Sequence, residues 1–157
     1  MSLAAPIRDR IKDAMVARLY TIKAGAEYWS TPSLVTRKLL AIDQYKAELA
    51  QGPVLGVMRS SGSRLEQIAQ PAEFEHGLIV TVWGFVRGDG VTDADTALER
   101  LWDDTVRCLL NETTLAGLVR DLYPEGPTDT DGGALEPLAY FAQDWLVTAN
   151  QSIPLGA

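Results

Sequence analysis

Histidine and cysteine are almost missing from this chain: His76 and Cys108 are the only ones in 157 residues. One cysteine excludes an internal disulfide and leaves no Cys/His set with the spacing of a metal centre. That usage fits a reducing compartment. One histidine, with no nucleophile or carboxylate whose spacing ties it to the ring, yields no acid–base or nucleophilic constellation. No apolar run is long enough to cross a bilayer, and no basic-then-apolar leader is present. The expectation is a soluble protein made in the cytoplasm, without membrane contact. The glycine-bearing loops "SSGS" (Ser60–Ser63) and "RGDGVT" (Arg87–Thr92) lack the lysine with which a P-loop holds phosphate.

Basic residues are scarce in one half. Residues 1–70 hold ten Lys/Arg against six Asp/Glu, whereas residues 71–157 hold four against fifteen, for a net charge of −7. Gripping nucleic acid requires a basic cluster to neutralise phosphates, so an acidic chain without one is a poor candidate for that function. The asymmetry instead suits a contact in which the basic part of one subunit meets the acidic part of the next; the plainer reading is two solvated halves.

What is present suits one domain spanning 1–157, long enough to bury a core without a staple. Ile7, Ile11, Ala14, Met15, Leu19 and Ile22 follow the helical period, predicting a helix over Pro6–Ile22 with Pro6 in its first turn and Gly25 at its stop. Tyr28–Lys46 reads either as a strand followed by a loop or as a helix starting near Ser33. Gly52–Arg59 is a short apolar strand, and Ser60–Ser63 a flexible turn or loop. Phe74–Gly88 is β-branched and aromatic. Leu78, Val80, Val82 and Val86 lie on one face and Ile79, Thr81, Trp83 and Phe85 on the other, so both faces require cover. Asp93–Asn111 is an amphipathic helix whose stripe is Ala94, Ala97, Leu98, Leu101, Trp102, Thr105, Cys108 and Leu109, with Thr92 or Asp93 as cap. Pro124–Gly133 is a loop. Leu135–Ala149 fits a helix through Leu138, Phe141, Ala142, Trp145 and Leu146, or a strand through Phe141, Trp145 and Val147.

The search for chemistry gives structural readings. His76 opens the long strand and reads as a structural or surface residue. Cys108 sits on an apolar stripe and reads as a small hydrophobe. Asp129 and Asp131 in "DTDGG" begin like a calcium loop but lack its next alternate ligand and its closing glutamate, so a solvated turn is the better reading. "RGD" at Arg87–Asp89 is a strand end. No catalytic, cofactor-binding or metal-binding residue is assigned, and no cofactor is expected.

"NETTLAGLVRDLYP" (Asn111–Pro124) stays apolar where a loop should be polar. With the helix before it, the segment from Asp104 to Asp121 resembles the tail terminator and tail completion proteins of long-tailed bacteriophages. That family tends to show an acidic residue, a run of leucines, Thr-Leu-Gly-Gly-like residues and an Asp; Ala116 stands where a second glycine often does. The resemblance covers Pro6–Gly25, Val54–Val57, Leu78–Gly88 and Asp93–Val147, and Tyr28–Lys46 departs most. It implies an α+β fold, a mainly antiparallel sheet with helices packed on one face, in which Leu135–Ala149 is largely strand. It implies a non-enzymatic virion protein at the tail–neck junction, assembled in the bacterial host. There it forms a ring, typically a hexamer, that caps the tail tube protein and meets the head–neck connector while DNA passes through unbound. Another neck or minor tail protein, or a part of a phage-tail-like machine, is the alternative; a small α+β enzyme or ligand-binding domain is a third. On the ring reading, Arg37, Lys38, Arg59 and Arg64 are expected to meet acidic residues of the neighbour, with apolar contact from Trp83 and Phe85. Thr113 and Thr114 are expected to stop the helix, Leu115–Leu122 to fold back over the sheet edge, and Gly117 to allow a close backbone approach.

Overall fold

The four-residue recurrence of Ile7, Ile11, Met15 and Leu19 becomes the buried face of a helix, α1 (Ile7–Leu19). The computed structural model describes residues 4–38, 40–69 and 73–152. After α1 come β1 (Leu34–Thr36), α2 (Ile42–Leu49), β2 (Val54–Ala69), β3 (Glu73–Arg87), α3 (Ala94–Leu110), β4 (Asp121–Thr130) and β5 (Leu138–Ser152). The strands form one sheet in the order β1-β2-β3-β5-β4. Only β1–β2 is parallel; the other three pairings are antiparallel. The expected mainly antiparallel α+β domain is what the chain forms.

α1 and α3 lie on one face of the sheet. Beneath them Leu78, Val80, Val82 and Val86 of β3 join Phe141, Trp145 and Val147 of β5 in the main core. Burying side chains of this size contributes roughly 1.5–3 kcal/mol each. The alternation in β5 runs from Leu138 to Ala149, so the period of two prevails over the period of 3.6 in this segment. The two helices are tied end to end: Arg18 Nε donates to the Cys108 carbonyl at 3.1 Å, and Cys108 Sγ to the Arg18 carbonyl at 3.2 Å. Asp93 caps α3, its carboxylate accepting from Thr96 N at 2.7 Å.

The opposite face is covered at one end by α2. Leu49, Val54 and Trp83 form a second small core there, flanked by Tyr45, Met58 and Phe85. The Trp83 ring lies over Gly56, where an added Cβ would sit 1.9 Å from Trp83 Cε2. Tyr28–Lys46 follows the strand-then-loop reading in part: it holds the three-residue β1 and a short connection, but ends in α2, which begins at Ile42 and not near Ser33.

Other elements also depart from expectation. α1 ends at Leu19, with Tyr20 as its C-cap, well before Gly25. β2 continues through 60–63, where a loop was expected. The irregularity falls between Arg59 and Ser63 as a register shift against β3, because the backbone partner is long enough to keep the strand paired. Pro124–Gly133 is not a loop throughout: β4 runs to Thr130 as an edge strand, with a register shift between Glu125 and Asp129. Edge strands tolerate Pro124 and Pro127 because one side of the backbone needs no ladder partner.

The apolar stretch after α3 is a tight turn over 113–118 that buries Leu115 and Val119, while Leu122 already belongs to β4. Helix α3 stops at Leu110 with Asn111 as C-cap, before the threonines. Thr114 instead organises the turn, its carbonyl accepting from Val119 N at 3.0 Å and its hydroxyl from Gly117 N at 3.2 Å. Gly117 serves by conformation and not by close approach: its φ is +84° and no atom lies within 4 Å of an added Cβ. Leu115 and Ala116 share the left-handed region at φ +48° and +59°.

Candidate functional site

Two of the expected contact residues are used inside the subunit. The Arg37 guanidinium, just past β1, reaches α1, with Nη2 2.9 Å from Asp9 Oδ1 and Nη1 2.7 Å from Asp13 Oδ1. Within the subunit it ties β1 to α1. The same bonds hold the Asp9 carboxyl below the usual range, Arg37 being the main cause. Trp83 is 7% exposed, with its ring centroid 5.7 Å from Tyr45 and 5.3 Å from Phe85. It is therefore corrected from a surface contact to a core residue, because α2 covers the strand face left open in the sequence reading. Phe85 is half-buried beside it and Tyr140.

Lys38 and Arg64 are exposed. Among the described residues Lys38 has no ion pair, and Arg64 Nη2 lies 3.6 Å from Glu66 and 3.9 Å from Glu75. Arg59 pairs its backbone with Val80; its side chain falls outside the described residues. The basic residues of the first half do not come together as one patch: Arg37 lies against α1, whereas Arg64 lies far along β2.

His76 is buried, its Nε2 bonded to Gln151 Oε1 at 2.7 Å. Cys108 is fully buried between α1 and α3. Asp131 accepts from Leu135 N at 3.2 Å and Tyr140 N at 3.1 Å, so it organises the turn before β5. Partial burial pushes its carboxyl up, but these backbone donors together hold it below the usual value. Asp89 of the "RGD" triplet accepts from Val91 N and Thr92 N at 2.7 and 2.6 Å. Among the described residues no three His, Cys, Asp or Glu side chains group as metal ligands.

A cleft of about 590 Å³ opens where the end of β3 meets the start of α3 and the end of α2. Trp29, Arg87 and Arg100 stand on its wall. Its foundation is Asp104, a fully buried carboxylate on the apolar stripe of α3. Asp104 accepts from Trp29 N and Ser30 N, each at 2.9 Å, and from the Ser30 hydroxyl at 2.7 Å. Those three bonds fix the loop that holds the Trp29 indole 60% exposed, with the Arg100 guanidinium 5.1 Å from its ring centroid. Neither Arg87 nor Arg100 has a carboxylate partner among the described residues. The arrangement is an open cleft presenting Arg87 and Arg100 beside an aromatic plate, with Asp89 also on its wall, and is suited to a contact that is net anionic and partly apolar.

Acidic residues gather at the far edge of the sheet. Register places Tyr123, Glu125 and Asp129 of β4 on the face shared with α2, opposite Leu146, Asp144 and Ala142 of β5. Glu125 and Asp144 are like charges directly across a ladder, an unfavourable pairing when nothing neutralises it. Asp144 accepts from the Thr81 hydroxyl at 2.6 Å, and neither Glu125 nor Asp129 has an ion pair among the described residues. Gln143 fixes this edge from the buried side: its Nε2 donates to the carbonyls of Glu125 at 3.1 Å and Gly126 at 3.2 Å, and the Thr128 hydroxyl bonds its Oε1.

Sequence reasoning missed Asp104, Trp29 and Arg100. One signal was available: Asp104 lies three residues after Leu101 and four before Cys108, a charged residue on an apolar stripe, which requires donors from elsewhere in the fold. Against known proteins, the chain matches no family model and no curated sequence.

Proposed function

We propose that this chain is a virion structural protein of the tail terminator class, a subunit of a ring that closes the tail tube and meets the head–neck connector. The observation that carries the reading is the pairing of the "NETTLAGLVRD" segment with the fold. The segment leads from the long acidic helix through a left-handed turn into the edge strand of a mainly antiparallel sheet. That is the architecture the family resemblance implies. The division of charge supports it further, since a head-to-tail ring needs two different, complementary surfaces on each subunit. DNA passing through such a ring would meet a largely acidic chain and slide instead of binding.

The reading is tested with the purified protein and tail tubes assembled from the tube protein of the same genome. Electron microscopy is expected to show added density at one tube end only. Deletion of the gene is expected to leave heads and uncapped tails that do not join. Normal infectious particles from the deletion strain would refute the assignment.

A further inference from the structure

We infer that the cleft bearing Trp29, Arg87 and Arg100 is the docking site for a second copy of this chain, and that it receives the acidic edge of β4 carrying Glu125 and Asp129. The inference rests on the ring reading for its biological setting, but its grounds are in the fold. The two patches carry net charge of opposite sign on one polypeptide, and among the described residues none of Arg87, Arg100, Glu125 and Asp129 has an ion pair within 4 Å. The cleft opens beside the first residues of β2, and β4 is the far edge of the sheet, three strand spacings or roughly 14 Å across. Two separate patches on one subunit can meet head to tail without competing for the same surface.

Each patch pairs its charge with an exposed aromatic, Trp29 at 60% and Tyr123 at 43%. Both are held by buried polar side chains whose hydrogen bonds go to the backbone, Asp104 under Trp29 and Gln143 under β4. An exposed tryptophan anchored in this way loses little freedom on docking, as contact residues that carry binding free energy do. The register sets Glu125 opposite Asp144, and an incoming guanidinium would bridge the two like charges, which makes the neighbour's Arg87 or Arg100 the fitting counter-charge. This contact replaces the one expected through Arg37, whose charge is neutralised within its own chain.

The test uses three forms of the full chain: wild type, Arg87→Glu/Arg100→Glu and Glu125→Arg/Asp129→Arg. Self-association is measured by sedimentation equilibrium at low salt. The wild type is expected to associate, and each double variant to do so on the order of tenfold more weakly or worse. Mixing the two variants is expected to restore association, because only unlike chains then present opposite charges. Trp29→Ala is expected to weaken association without lowering the melting temperature by more than a few degrees, which separates docking from folding. A monomeric wild type, or variants that associate as the wild type does, would overturn the proposal. So would a mixture that stays monomeric while each variant keeps the wild-type melting temperature. Quenching of Trp29 fluorescence by single-stranded DNA, reversed by Arg100→Glu, with no self-association, would overturn it in favour of a nucleic-acid surface. Tube-end binding separates this proposal from the preceding one. Self-association with no tube binding sinks the tail reading alone; tube capping by charge-reversed chains as efficient as wild type sinks the docking site alone.

Discussion

Ala116 occupies the left-handed region at φ +59° between Leu115 at +48° and Gly117 at +84°. An L-residue there costs about 1–2 kcal/mol, and a glycine relieves that at the expense of a more flexible unfolded chain. Ala116→Gly is therefore expected to stabilise the fold by about 0.5–1 kcal/mol in urea denaturation, whereas Gly117→Ala should destabilise it by about 1 kcal/mol. No stability change from either substitution would show that the turn relaxes out of this conformation in solution. At the centre of the core, Leu101 is fully buried beside Gly84, where an added Cβ would lie 2.9 Å from Leu101 Cδ2. Leu101→Ala leaves a cavity that backbone this close-packed does not refill, and its expected cost is about 2–5 kcal/mol. Trp102 is only partly buried, so Trp102→Ala should cost less than Leu101→Ala; a melt in which the order is reversed would show that the stripe faces differently.

β4 is an element held chiefly by its neighbour. Apart from Leu122 its side chains are largely exposed, and two prolines interrupt its donors. Gln143 supplies what the ladder lacks between Glu125 and Asp129, through bonds to two carbonyls and the Thr128 hydroxyl. Gln143→Leu keeps the volume but removes those bonds, at a cost of about 1–3 kcal/mol for carbonyls left without partners. Amide hydrogen exchange over 125–130 is expected to accelerate well beyond the global change, with β3 and the centre of β5 nearly unaffected. Uniform acceleration across the sheet would mean that β4 is not a separable edge. The loop carrying Trp29 depends on Asp104 in the same way, and Asp104→Asn is expected to speed exchange at the Trp29 and Ser30 amides first.

For the whole molecule, several carboxylates are held below their ordinary values by the folded state. Arg37 is the main cause at Asp9, the Thr92 and Val91 amides at Asp89, the Thr96 amide at Asp93, and the Thr114 hydroxyl and amide at Glu112. Their ordinary values are 3.8 for the aspartates and 4.5 for the glutamate. A depressed folded value means that protonation is harder in the folded state. The stability these groups give is then complete above the ordinary values and is lost as pH falls through the lower folded ones. The melting temperature is expected to fall below about pH 4, with Asp93→Asn, which keeps a capping oxygen but loses the charge at the helix N-terminus, showing a shallower fall. A wild-type melting temperature that rises on acidification over this range would contradict the sign. Charge reversal separates the basic residues: Lys38→Glu should leave the melt unchanged, whereas Arg37→Glu loses two exposed pairs, gains repulsion from Asp9 and Asp13 and should lower the melting temperature slightly.

The long periodic elements were legible in the sequence. α1, β3 and α3 announce themselves because each buries a face whose period is set by the backbone alone, and the Asp93 cap is a local contact between residues three apart. Tertiary structure decided what depends on partners distant in sequence. β4 is a strand because β5 offers it a ladder, although its own residues read as turn formers. Leu138–Ser152 is a strand because β3 pairs with it along its whole length, which settles two periods that the side chains left equal. Trp83 is core because α2 folds over it, and Arg37 is internal because β1 ends beside α1. The cleft belongs to this second class: Trp29 is far in sequence from Arg87 and Arg100, and the buried bonds of Asp104 and the turn from β3 into α3 bring an aromatic plate and two guanidinium groups to one wall.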